Sequence, residues 1–306
     1  MSRLNRVVMA IDFSNLSETA AAYALEMANR ENLEAHLVTV DETKERAEAD
    51  IASKLEAIAE GLREHWSHVS EADGRSDGTL RIAQEILYDR KPATAICSYA
   101  EAHKADLIAM GTRGHRGVRR AFLGSVATEV IREAPCPVLT VRQPEDSKPA
   151  AANHIMVPVD FSEPSKAAVR YAAGLANQLG ADLTLAYVME KQGENAGYGF
   201  KPSVFGTAEG YKRARKDLKG LTDGLSVEAS VKVLDGKPAE ALLSHVDAED
   251  VDLIVMSTRG HSGVKRLLEG SVAEDIITKG QCPVLVARDF GLQASALPVT
   301  GEEEAT

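Results

Sequence analysis

Two short segments hold most of the residues whose types and spacing could do chemistry. One is a glycine-bearing stretch, Gly111-x2-Gly114-x9-Gly124-Ser125, followed by Val126. Glycine lets a backbone come close to a ligand. If the Gly124-Ser125 step opens a helix, it gathers free N–H groups, a hydroxyl and the positive end of the helix dipole, a seat suited to phosphate oxygens. The same stretch carries Arg113, His115, Arg116, Arg119 and Arg120, which concentrate positive field on one rim and draw anions to it. The other segment is Ala10-Ile11-Asp12, an apolar run that ends in a carboxylate ahead of Phe13 and Ser14.

Both segments occur twice. The run DLIAMGTRGHRGVRRAFLGSVATEVIREAPCPVLTVR from Asp106 returns as DLIVMSTRGHSGVKRLLEGSVAEDIITKGQCPVLVAR from Asp252, without a gap and with over half its positions identical. Asp12-Phe13-Ser14 returns as Asp160-Phe161-Ser162 after Pro158 and Val159, and Lys91-Pro92 as Lys237-Pro238. The chain is therefore a tandem repeat. We place the first domain at 1–143, a linker rich in proline, charge and small residues at 144–152, the second domain at 153–290 and a solvated tail at 291–306.

The elements that must position these residues alternate. In the first copy VVMAID precedes a helical pattern over about 16–30, AHLVTVD one over about 44–64, and TLRIAQEIL one over about 92–103. DLIAMG then leads into the glycine stretch, and a last helix from Ser125 precedes PVLTVR. Such alternation specifies an α/β domain with a buried, mainly parallel sheet of five strands and helices on both faces. The second copy repeats the order, with a glycine-rich insertion between Met189 and Thr207. In a doubly wound sheet the ligand sits beyond the carboxyl ends of the strands where the winding reverses, which is where Asp12 and the glycine stretch would meet.

The 306 residues are 44% hydrophobic and 26% charged, the balance of a globular chain rather than a disordered one. With 35 Lys+Arg against 46 Asp+Glu, a net charge of -11 excludes a general nucleic-acid binder. The apolar runs are too short to span a membrane or to serve as a secretory leader, so a cytoplasmic protein is expected. Cys97, Cys136 and Cys282 are too few and scattered for a disulfide framework or metal cluster and are expected to be buried packing residues.

The spacing Gly111-x2-Gly114-x9-Gly124-Ser125, the Asp-Phe-Ser after the first strand and the closing CPVL strand resemble the universal stress protein family, over essentially the whole chain as two tandem domains. The resemblance implies two open-sheet Rossmann-like domains and a nucleotide-binding branch that holds ATP, with Mg2+ in some members. It also implies pairing of the last strands, PVLTVR with PVLVAR, and leaves a further homodimer and an unknown protein partner open. Carried onto this chain, it puts Asp12 near the adenosine end, Val40 in the base pocket, Met110 and Gly111 along the nucleotide, and Gly114, Gly124, Ser125 and Val126 toward ribose and phosphates, with Ala10 and Arg113 also counted in the site. The second site would comprise Pro158, Asp160, Val188, Met256, Ser257, Arg259, Gly260, Gly270, Ser271 and Val272. Ser257 departs from the motif's first glycine, and a need for positive φ there would strain the second site.

Plain structural duties compete with these roles. Asp12 and Asp160 could serve as turn carboxylates, Ser125 and Ser271 as helix N-caps, and the arginines as a solvated face. The chain has no P-loop, no dinucleotide fingerprint after the first strand, no G-x-S-x-G and no H-E-x-x-H. The expected function is ATP or adenine-nucleotide binding that changes conformation or partner choice in a stress-response regulator. A slow Mg-dependent ATP-hydrolysing or phosphoryl-transfer enzyme and a nucleotide-free interaction scaffold are the alternatives.

Overall fold

Buried β-branched runs become strands, and the polar, capped segments between them become helices. The computed structural model describes residues 4–28, 33–72, 80–112, 123–142, 152–190, 207–257 and 272–287. The first half runs β1 (Arg6–Ala10), α1 (Asn15–Met27), β2 (Glu34–Asp41), α2 (Glu48–Ala72), β3 (Ile82–Tyr88), α3 (Pro92–Ala102), β4 (Leu107–Gly111), α4 (Ser125–Glu133) and β5 (Val138–Val141). The second runs β6 (His154–Pro158), α5 (Glu163–Leu179), β7 (Asp182–Met189), α6 (Ala208–Gly220), β8 (Ala229–Asp235), α7 (Pro238–Ala248), β9 (Leu253–Met256), α8 (Val272–Lys279) and β10 (Val284–Val286).

Both halves form one ten-stranded sheet in the order β3-β2-β1-β4-β5-β10-β9-β6-β7-β8. Within each half the strands are parallel, as expected of five-stranded units joined by crossover helices. The halves meet through β5 and β10, which pair antiparallel with Leu139 opposite Leu285, so the last-strand pairing implied by the family resemblance is formed inside this chain. Both leucines are fully buried, which is worth about 1.5–3 kcal/mol each to the folded chain, and Thr140 Oγ1 donates to Val284 O across the joint at 3.1 Å.

Two apolar layers flank the sheet. One contains Ala20, Leu25 and Met27 of α1, Leu55 and Leu62 of α2, Ala172 and Leu175 of α5, and Leu218 of α6. The other contains Ile96 of α3, Val130 of α4, Leu242 of α7 and Ile276 of α8. Each layer runs across both copies. α1 is buried along its whole second half, residues 20–27; its alanines at 20, 21, 22 and 24 permit close approach from several sides, and Gln178 of α5 donates to Met27 O at 3.1 Å.

Helix ends follow their residues. Ser14 and Ser162 cap α1 and α5 by accepting from the N–H groups of Ser17 and Ser165, and Pro92 and Pro238 open α3 and α7. Gly180 closes α5 in the left-handed conformation at φ 70°. The helix expected over about 44–64 begins later, at Glu48, and continues to Ala72, because the apolar spacing Ile51, Leu55, Ala59, Leu62 extends through Trp66, all buried. The insertion after β7 falls at 191–206, outside the described residues.

Candidate functional site

After β1 the chain runs to β2 on one side of it, and after β3 it returns to β4 on the other, so the winding reverses between β1 and β4. At that point Ile11 N–H still donates to Val38 O at 2.8 Å, and Asp12 is the first residue beyond the sheet. Asp12 Oδ1 accepts from Ser14 N–H at 3.1 Å and from Ser14 Oγ at 2.5 Å, which forces Phe13 between them to φ 65°. A bulky residue rarely adopts that conformation, and such strain clusters at functional sites. The second copy repeats the turn: Asp160 Oδ1 accepts from Ser162 N–H at 3.0 Å and Oγ at 2.5 Å, with Phe161 at φ 63°. The carboxylates thus do hold a turn, but with one oxygen; among the described residues no hydrogen bond reaches Asp160 Oδ2.

β4 ends at Gly111. Thr112 N–H donates to Val141 O at 3.0 Å, and Gly124 N–H donates to Thr112 O at 2.9 Å, so the residues on either side of the cationic stretch are tied together beyond the strand ends. α4 starts at Ser125 with Gly124 as its N-cap, at φ -63° and ψ 148° and with no side-chain cap. Ser125 therefore occupies the first helical turn instead of the N-cap expected of it. Without a capping side chain, the first N–H groups of α4 keep their capacity to donate to an anion. Thr112 Oγ1, at the same strand end, is buried and has no hydrogen-bond partner among the described residues, an orphan polar group of the sort a ligand can satisfy.

Beside these polar groups lies an apolar wall. Ala10 and Met110 are neighbours in register and both buried. Val40 lies opposite Leu87 on β3, and these two, with Leu123 and Val126, are half-buried against the same cluster. In the second copy Val188 and Leu234 take the places of Val40 and Leu87. Met110 and Met256 are core residues, at 6% and 5% exposure.

Gly111 is explained by packing. A Cβ there would stand 3.0 Å from Leu16 Cβ and 3.1 Å from Ser17 N at the start of α1. Its φ is not positive, and neither is that of Ser257, so the strain feared for Ser257 does not take that form. The second copy instead carries a side chain at this approach, and β9 ends one residue before it, at Met256. Arg113, Gly114, Arg259, Gly260, Gly270 and Ser271 lie outside the described residues.

The two rims differ in charge. Glu18, in the first turn of α1, has its carboxyl pushed above the ordinary range by burial and then by the Asp12 carboxylate. The corresponding place on α5 holds Lys166, paired with Glu163 at 2.7 Å. Sequence reasoning passed over Phe13, Glu18, Leu87 and Thr112. Phe13 and Thr112 sit within repeated motifs, DFS and T-R-G, and that repetition was the available signal. All three cysteines are buried, as expected, and burial pushes the Cys282 thiol up to about 12.

Residues 3–142 and 152–288 each match the universal stress protein family. The chain belongs to that family. It is 27% identical over 307 residues to universal stress protein Rv1996 of Mycobacterium tuberculosis, covering 92% of this chain and 94% of that one. It is 34% identical over 142 residues to universal stress protein MJ0531 of Methanocaldococcus jannaschii, covering 46% of this chain and 83% of the other. A solved universal stress protein from Archaeoglobus fulgidus superposes on it with a TM-score of 0.59 at 21% identity, over 93% of this chain and 98% of its own, which shows a shared fold. As a tandem universal stress protein, the chain carries two copies of the family domain in one sheet. Among the described residues no helix is long and apolar enough to cross a membrane.

Proposed function

We propose that this universal stress protein binds an adenine nucleotide, ATP with Mg2+ in the first instance, at the carboxyl ends of β1 and β4, and that occupancy changes the arrangement of the segment between Thr112 and Gly124. The observation that carries the reading is the meeting, at the winding reversal, of an uncapped helix N-terminus and an orphan Thr112 hydroxyl with the half-buried wall of Val40, Leu87 and Val126. The polar side suits phosphates and ribose and the apolar side suits a base. Mg2+ would arrive on the nucleotide, whose phosphates supply most of its ligands; among the described residues no group of three or more His, Cys, Asp or Glu could hold the ion by itself. We take the first copy as the stronger site, because Gly111 lets α1 pack close against the end of β4 where the second copy has Ser257.

A nucleotide that binds one arrangement more tightly shifts the population toward it; the protein acts as a switch read by a partner and needs no fast turnover. We take the domains to be 1–143 and 153–290 and the compartment to be cytoplasmic.

Calorimetric titration of the nucleotide-stripped full chain with ATP and Mg2+ tests the reading. Saturable binding, weakened at least about tenfold (1.4 kcal/mol) by Gly124→Ala and less by Gly270→Ala, is the expected result. Absence of heat with the stripped wild type overturns it.

A further inference from the structure

The antiparallel β5–β10 joint and the mirrored strand order give the chain an internal two-fold axis normal to the sheet. This axis exchanges α2 with α6, so the two helices occupy matching places at opposite ends of one face, the face that α1 and α5 share. Their charges are reversed. Over residues 48–68, α2 carries the acids Glu48, Asp50, Glu56, Glu60 and Glu64 against the bases Lys54 and Arg63. Over 208–220, α6 carries the bases Lys212, Arg213, Arg215, Lys216 and Lys219 against the acids Glu209 and Asp217.

The charges lie in rows. On α2, Glu56, Glu60 and Glu64 follow at i, i+4 and i+8, on the side away from buried Ile51, Leu55, Ala59 and Leu62. On α6, Lys212, Lys216 and Lys219 follow at i, i+4 and i+7, away from buried Gly210, Ala214 and Leu218. All six are exposed. Glu56 is held by Arg63 at 2.8 Å and by Gln84. Among the described residues no hydrogen bond or ion pair holds Glu60, Glu64, Lys212, Lys216 or Lys219.

We infer that two copies of this chain associate face to face, α2 of each lying against α6 of the other. The geometry selects this arrangement. Facing two copies by a two-fold axis parallel to the strands sets α2 over α6 and, by the same operation, α6 over α2, so both contacts form at once and the assembly closes as a dimer. Facing them by the other in-plane axis sets α2 over α2 and α6 over α6, with like charges opposed. The contact is polar: among the described residues the exposed large apolar side chains are Tyr88 and Val272, and neither belongs to α2 or α6. Such an interface gains orientation from charge and is weak and salt-sensitive. The two copies also repel through their net charge of -11, a repulsion that about 0.1 M salt damps beyond roughly 10 Å while leaving contact pairs in force.

Sedimentation equilibrium of the full chain, at about 0.1 M salt and up to about 100 μM protein, reads this directly. Wild type is expected to dimerise, with the association constant falling at least about tenfold by 1 M salt. Glu60→Lys with Glu64→Lys on α2, and separately Lys212→Glu with Lys216→Glu on α6, are each expected to give monomers with unchanged circular dichroism. An equimolar mixture of the two variants is expected to restore a dimer, because each then offers the charge the other lacks. A variant that loses its circular dichroism is replaced by the single changes Glu60→Lys and Lys216→Glu. A monomeric wild type, a dimer that survives both reversals, or variants that fail to recombine on mixing overturn the inference, whether or not the chain binds nucleotide.

Discussion

A methyl group added at Gly111 would meet Leu16 Cβ, Ser17 N and the Leu16 carbonyl carbon at 3.0, 3.1 and 3.2 Å, two of them backbone atoms that cannot swing aside. Gly124 sits at φ -63° and ψ 148°, which any residue adopts, as the N-cap of α4. The two glycines look alike in the motif and answer to different physics. Gly111→Ala is expected to cost about 1–3 kcal/mol of stability by overpacking α1 against β4, whereas Gly124→Ala is expected to cost less than about 1 kcal/mol while weakening nucleotide binding. Urea midpoints for the two variants, set beside their ATP titrations, check this; a Gly111→Ala chain as stable as wild type would remove the packing account. The motif told where both glycines lie but not which faces a helix, because that depends on α1, more than 90 residues earlier. Asp12 shows the same limit. Its turn with Ser14 was foreseeable from Asp-x-Ser spacing, yet the left-handed Phe13 that completes the turn appears only in three dimensions.

At the scale of elements, β5 and β10 carry the joint between halves. Leu139 and Leu285 are in-register partners with no exposure, so each truncation to alanine is expected to cost about 2–5 kcal/mol. The double variant should depart from additivity by at least about 0.5 kcal/mol. A strictly additive cycle in denaturant unfolding would mean that the two side chains do not act together. The strands of each copy were legible in chain order, most plainly β1, β2 and β4, which are buried on both faces and read as near-continuous apolar runs, whereas the edge strands β3 and β8 are half-exposed. The extents of α1 and α2 were less legible, since helix ends depend on caps and on where the neighbouring layer stops. A second element-scale property lies where β2 meets α3. His36 Nδ1 is 2.9 Å from Tyr99 Oη, its ring is 5.0 Å from that of His103, and Nε2 is 3.5 Å from Glu34 Oε1, itself held by Arg6. Burial first, and His103 second, lower the His36 pKa; burial likewise lowers that of His245. Between the lowered folded value and the ordinary value of about 6.5 the unfolded chain binds more protons. Stability therefore rises with pH across that window and is lost as pH falls through it. The urea midpoint is expected to be lower at pH 5.5 than at pH 7.5, with a shallower drop in His36→Gln; an equal drop in wild type and variant would exclude His36 as a source.

For the whole molecule, the consequence of one sheet is that the two copies should not unfold separately. Both apolar layers contain side chains from each copy, and α1 is buried throughout its second half in a layer that also holds α5. Releasing one copy would expose β5 or β10 as a bare edge together with apolar surface of both layers, so a half-folded state has little to stabilise it. Sequence repetition alone would equally suit two beads on a flexible string; the continuous ten-stranded sheet joins the two copies into one unit instead. The chain supplies its own probe, because its single tryptophan, Trp66, lies buried in α2 of the first copy. Fluorescence of Trp66 reports the first copy, and far-ultraviolet circular dichroism reports both. Under urea the two signals are expected to trace one coincident transition, with a slope set by the surface of the entire chain. A tryptophan transition that completes while about half of the helical signal remains would show that the copies fold independently and that the β5–β10 joint is weak. In that case the charge-paired contact between chains, and not the joint within one, would have to fix the relative orientation of the two sites.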